Sequence, residues 1–413
     1  MKIKNKKIIQ FALVLLTVGI PNFIKFDPTG LTRDYGLFNM QSIARIILFL
    51  VISYSIVIIF PSNQLKIKKH VMPIAPFFFL YCYYLINSIL FLESTNLLLS
   101  LYRIFEWMVI YFLFYKLYNL DNKDWIFEFK NNLPIIIFTP IMIVVFISFF
   151  APNYALSIHD VTGVVRFGGI LYNPNLIGIL SSIGIVYYYY YSSKKRFFYI
   201  LVLIIVLLLS YSRGALGALI LSVFIYKTVI EKNSSLSFYY YLLFFSITFL
   251  LGYIYKENIL VYLSRGQDFT SLLTANERTY AWLVALLSFV ENPLFGTGYI
   301  VGGKALGSFF NDIDISHWYV TTAHNDFLQA MVNGGIIPLL LTLYIFFKHL
   351  YNIYQISRIK IISEGEIAFF WIASFQVIVY SILTPSINYV VSIISVVTIW
   401  IFIEVEQIRT RLA

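Results

Sequence analysis

Apolar runs recur along the whole chain, each of about 17–25 residues, the length that carries a helix across ~30 Å of hydrocarbon. The stretches at 8–24, 71–92, 133–150 and 367–384 are examples. A backbone in lipid must satisfy its own polar groups, so a run of this length is a helix; a barrel would show alternating segments of about 10 residues. Only 12% of the residues are charged, roughly half the share of a soluble globular protein. The expectation is an all-α, polytopic membrane protein of about twelve transmembrane helices. The spans are placed at 8–24, 43–60, 71–92, 98–115, 133–150, 169–191, 197–211, 214–230, 237–255, 326–347, 367–384 and 388–404. The seventh and eighth come from one apolar stretch too long for a single span at ordinary tilt. It is interrupted by Ser210, Ser212, Arg213 and Gly214, which suit a tight hairpin. The first span, with its basic head "MKIKNKK" and no small-x-small cleavage site, reads as an uncleaved helix.

Lysine and arginine set the orientation. With the N-terminus inside, the clusters "KIKNKK", "KIKK" (66–69) and "KKR" (194–196) fall on the cytoplasmic side, as do Lys348, Arg358, Arg409 and Arg411. The formal net charge of +10 is then a topology signal and gives no reason to expect nucleic-acid binding. The chain divides into spans one to nine (1–255), one large outer loop (256–325) and spans ten to twelve (326–413). Loops of such length are usually functional. Within this one, "ERTYAWLVALLSFVENP" predicts a short helix. Glu277 and Arg278 lie near its start, Trp282, Leu286 and Val290 recur at i, i+4, and Asn292-Pro293 ends it. It is expected flat on the membrane or packed on the bundle.

Cations collect on the outer side in unusual places: Arg103 inside span four, Arg166 before span six, Arg213 at the hairpin and Arg278 at the loop helix. An arginine near hydrocarbon costs ~2.5–3.5 kcal/mol on insertion scales, so it tends to face a partner or a wet cavity. Several together suggest an anionic ligand, and the planar guanidinium fork suits phosphate oxygens. Each has a plainer alternative. Arg103 could pair with Glu106 at i, i+3. Arg166 could snorkel at a span end, and Arg265 and Lys304 could be ordinary loop cations. Arg213, with Gly214 and Gly217 behind it, is the hardest to dismiss. Asn173 and Asn175 flank Pro174 at the start of span six; they could bind sugar hydroxyls or an anion, or Asn173 could simply cap a helix with Pro at N1.

"VTTAHNDFLQAMVNGG" (320–335) closes the loop. His324 there could accept a proton as a general base, while Asn325 and Asp326 suit an N-cap and a first-turn acid. His70, His159 and His349 read as solvated surface residues. With a single cysteine, Cys82, and no ligand spacing around the histidines, no metal site is expected. "GTGYIVGGKALG" lacks the phosphate-loop pattern and reads as a flexible turn. Trp282, Tyr299, Trp318 and Tyr319 could stack on sugar rings or anchor at the interface.

Four motifs together, "YNPNLIGIL", "SYSRGALGA", "ERTYAWLVALLSFVENPLFGTGY" and "AHNDFLQAMVNGGIIP", cover roughly 165–340. In order, spacing and side, they resemble the O-antigen polymerase and O-antigen ligase superfamily of bacterial inner-membrane glycosyltransferases. The resemblance implies a GT-C-like membrane fold and a metal-independent, inverting transferase without a cofactor. It would take a glycan from undecaprenyl diphosphate on the periplasmic face, with Arg213, Arg278 and His324 in the family's catalytic positions. Arg166, Arg103, Asn173, Asn175, Arg265 and Asn325 are the further candidates for substrate contact. Implied partners are the lipid-linked oligosaccharide, membrane lipids and a chain-length regulator. A polymerase would pass the chain to the next lipid-linked repeat unit, a ligase to lipid A–core. The richness in Ile, Phe, Tyr, Lys and Asn resembles polymerases from variable surface-polysaccharide loci. A lipid-linked oligosaccharide flippase is the rival from another class, but it would need charge at the bilayer midplane rather than at the outer edge.

Overall fold

The computed structural model describes residues 46–54, 75–92, 94–118, 125–158, 165–168, 173–191, 196–231, 278–299, 322–358, 362–388 and 391–412. In chain order they form α1 (Ala75–Phe91), α2 (Ser94–Tyr118), α3 (Trp125–Phe150), the single turn α4 (Pro152–Ala155) and the strands β1 (Leu156–Ile158) and β2 (Val165–Phe167). Next come α5 (Pro174–Tyr190), α6 (Arg196–Leu209), α7 (Arg213–Ile225, continued by a π-turn), α8 (Arg278–Glu291) and α9 (Asp326–Gly334). The last are α10 (Ile336–Ser357), α11 (Glu364–Leu383) and α12 (Ile393–Leu412). A further helical stretch covers 46–54. Five helices among the described residues are long and apolar enough to cross a membrane, and α1 and α6 are shorter apolar helices. The spans expected at 8–24 and 237–255, and most of the outer loop, lie outside the described residues.

Local sequence explains where these helices begin and end. Asn173 caps α5 by accepting from the Asn175 amide (2.9 Å), with Pro174 at the first helical position, whose missing N–H costs nothing there. The hairpin forms as expected: α6 ends at Leu209, Ser210–Ser212 turn the chain, and the Ser212 hydroxyl caps α7. Gly178 of α5 lets that turn sit close. A Cβ there would meet the Ser212 Cβ at 2.5 Å and the Ser210 hydroxyl at 2.9 Å.

Three features differ from the sequence expectation. The chain is not purely helical, because β1 and β2 pair antiparallel with Ser157 opposite Arg166. Span six therefore begins at Pro174 rather than 169. Span ten is broken: Gly335, at φ +79°, separates α9 from α10. Its left-handed backbone is one that glycine adopts without strain. Into this break fits "NPLFGTG". Thr297 N–H donates to Val332 O (2.7 Å) and Ile336 N–H to Pro293 O (2.9 Å), while Tyr83 Oη donates to Gly334 O (2.8 Å). The 296–299 stretch is thus a built plug rather than a flexible turn.

The loop helix α8 packs on the bundle through its small residues. Ala281, Val284, Ala285 and Ser288 are buried, and the first three pack with Ala323 and Val332, while Leu286 and Val290 are exposed. Small side chains let two helices approach closely. The remaining core is one aromatic-rich cluster, with Tyr81 stacked on Trp107 (4.7 Å) and Tyr84 on Tyr299 (4.5 Å).

Candidate active site

The start of α5, the α6–α7 turn, the start of α8, the start of α9 and the end of α11 meet at one end of the bundle. Each carries a polar or cationic side chain there. Arg166 is delivered by β2. Its Nε donates to Ser210 O (3.2 Å) and one terminal nitrogen to Asn175 Oδ1 (2.9 Å), so it is fixed against both α5 and the hairpin and does not snorkel. Arg213 begins α7 and Arg278 begins α8. Burial, then the Arg213 and Arg278 guanidinium groups, push Arg166 down to about 10. It still carries its charge at neutral pH. Burial also lowers Arg278. Three arginines thus lie within electrostatic reach of one another. Neither Arg166 nor Arg278 has an ion-pair partner among the described residues. Like charges held this close repel one another and are favourable around an anion.

His324 joins this group through Arg278. Burial and then the Arg278 charge lower the imidazole to about 4, so it is neutral, and able to accept a proton, at physiological pH. His324 and Tyr211 are the two non-glycine residues with positive φ among those described (+50° and +49°). Such conformations cost roughly 1–3 kcal/mol each and persist where the surroundings over-determine them. One sits in the turn that presents Arg213; the other carries the imidazole.

Asn325 caps α9, its Oδ1 accepting from the Phe327 and Leu328 amides (2.9 and 3.1 Å). The carbonyl oxygens of Asn173, Asn175 and Asn325 are therefore all engaged within the protein. Asp326 does more than start a helix. Fully buried, it accepts from the amides of Ser386 (2.7 Å), Ile387 (3.1 Å) and Asn388 (2.9 Å), and from the Ser386 hydroxyl. It ties the loop after α11 to the start of α9. Sequence reasoning missed this, since its partners lie sixty residues away. It also missed Tyr380 on α11, which is buried and within electrostatic reach of Arg166 and Arg278.

Other candidates fall elsewhere. Arg103 pairs with the buried Glu106 of its own helix (3.0 Å), the plainer of its two readings. Tyr299 is fully buried, stacked on Tyr84 and accepting from Trp107 Nε1 (2.8 Å), so it offers no face to a sugar. His349 is not solvated: it is buried, stacked on Phe402 (3.7 Å), with Nε2 2.7 Å from the Ser374 hydroxyl. Arg265, Lys304, His70, His159, Trp318 and Tyr319 lie outside the described residues. No cluster of His, Cys, Asp or Glu that could hold a metal occurs among the described residues.

Residues 198–343 match the family model described as O-antigen ligase. That match supports the resemblance to the O-antigen polymerase and ligase superfamily. It runs from α6 into α10 and contains Arg213, Arg278 and His324, while Arg166 and Tyr380 lie outside it. Members of the family are glycosyltransferase-like enzymes. The apolar helices and the family fit a multi-pass inner-membrane protein. No curated protein matches the chain.

Proposed function

We propose that the chain polymerises a surface polysaccharide: it transfers a glycan from undecaprenyl diphosphate to a hydroxyl of the next lipid-linked repeat unit, at the periplasmic face. The observation that carries this reading is the arginine cluster at one end of the bundle, with a neutral imidazole beside it. The acceptor oxygen attacks the anomeric carbon, its proton passing to His324. The bond from that carbon to the diphosphate oxygen breaks, and its electron pair leaves with undecaprenyl diphosphate. Arg166, Arg213 and Arg278 stabilise the charge growing on the phosphate oxygens, as fixed guanidinium groups can in a water-poor site. One displacement inverts the anomeric configuration.

The second reading, an O-antigen ligase, is favoured by the description of the matched family and differs in the acceptor. Purified protein in vesicles, given lipid-linked repeat units, should yield a ladder of lengthened lipid-linked chains. Conjugates formed only with added lipid A–core would select the ligase. Movement of labelled donor across the bilayer without any transfer would exclude both.

The imidazole supplies a pH signature. Because burial and Arg278 depress its pKa, His324 loses its base function only as the pH falls through about 4. The acid limb of kcat/KM, which reports the free enzyme, should have its midpoint near 4, with no inflection at the usual histidine value of ~6.5. His324→Ala should lower kcat by about 10²–10⁴-fold and remove that limb. An unchanged limb in the variant would assign it to another group.

A further inference from the structure

Tyr380 is buried in α11, and its hydroxyl makes no hydrogen bond of ordinary geometry among the described residues, although Thr384 lies near it. Its position follows from the helix register. Gln376, one turn earlier, donates from Nε2 to Ser182 O of α5 (3.4 Å), so this face of α11 looks at α5. The two helices run antiparallel, and the next turn of α11 brings Tyr380 toward the start of α5, where Asn175 holds Arg166. Arg166 and Arg278 are its charged neighbours. A guanidinium has five donors and no acceptor, so neither can receive the phenol's proton. A buried hydroxyl left without a hydrogen bond is a rarity in native proteins and calls for a partner. The group that would satisfy it must accept hydrogen bonds and must suit a cationic surround, which describes an oxyanion.

We propose that the Tyr380 hydroxyl donates a hydrogen bond to a phosphate oxygen of the lipid diphosphate, making Tyr380 a substrate-binding residue beside the arginines. The proposal rests on the diphosphate-site reading above. It adds a neutral donor to a charged clamp. A short, directed O–H contact fixes one oxygen in place and leaves the guanidinium forks to hold the others.

Tyr380→Phe removes only the oxygen, and the test uses undecaprenyl diphosphate, the product, as probe. In detergent-purified full-length protein, wild type should gain thermal stability on adding it. The variant without ligand should melt at the same temperature as wild type or higher, since an unpartnered buried hydroxyl has been removed. Its affinity for undecaprenyl diphosphate should fall about 10- to 100-fold, the effect of losing one hydrogen bond to a charged acceptor, and KM for the acceptor should not move. A merely structural tyrosine would show the reverse, a lower melting temperature at unchanged affinity. That result, or wild-type affinity in a folded variant, overturns the proposal. If wild type itself gains no stability from undecaprenyl diphosphate, the diphosphate site falls and the role of Tyr380 falls with it.

Discussion

Arg278→Ala should reduce transfer by about 10²–10³-fold, the range for removing one preorganised donor from a developing anion, while the protein stays folded in the membrane. Both halves follow from the geometry. Arg278 is the first residue of α8, and α8 docks through Ala281, Val284, Ala285 and Ser288, none of which depends on the guanidinium. Arg278 has no ion-pair partner among the described residues to be orphaned by its loss. Deleting one of three neighbouring like charges relieves repulsion, so the melting temperature should hold or rise. Arg278→Lys should restore little of the rate. A lysine offers one compact charge where a planar fork can hold two oxygens at once. Arg213→Ala should lower the rate to a similar extent. Chain-extension rates on purified variants, with melting curves alongside, check this. A lysine variant at near wild-type rate would reduce Arg278 to a point charge.

What the sequence made legible were the local signals with a physical mechanism. Asn173-Pro174 reads as a capped start, Ser210–Arg213 as a break in an overlong apolar run, and Asn292-Pro293 as a stop; each appears as such. The polar residues facing the candidate site also stood out, because charge in an apolar chain is conspicuous. Less legible was whatever depends on distant partners. Gly334-Gly335 is a visible breaker, but the hydropathy of 326–347 spans it, and only the docked 293–299 segment explains the break. Strands of three residues carry too little alternation to detect, so the ribbon that delivers Arg166 was invisible. Tyr380 is one aromatic among many in an apolar span, and nothing local distinguishes its hydroxyl. Which face of α8 meets the bundle was not legible for a related reason: in a membrane chain the largest apolar residues need not face the protein, and small ones can mark the contact.

Asp326 connects the fold to the site, and its removal should be the most damaging single change to stability. Its carboxylate takes three backbone amides and the Ser386 hydroxyl from the loop after α11. Asn388 in that loop accepts from the Tyr84 hydroxyl (2.7 Å), donates to Thr342 Oγ1 (3.0 Å), and receives Asn333 Nδ2 on its carbonyl (2.6 Å). Asn333 accepts from Gln329, whose Oε1 accepts the Ala323 amide (2.9 Å), one residue before His324. The network runs from the loop to the strained residue that carries the imidazole. Asp326→Ala leaves three amides buried without acceptors, each worth about 1–3 kcal/mol. A loss of roughly 3–5 kcal/mol is expected, the lower part of the summed cost of those amides. Asp326→Asn keeps one acceptor but turns an amide donor toward donors, so it should fall between alanine and wild type. Activity should decline in step with stability in both variants, unlike Arg278→Ala, where activity alone goes. Denaturation of the two variants beside their transfer rates separates the cases. If Asp326→Ala melts like wild type, the loop is held by other contacts and the carboxylate does not set the position of His324.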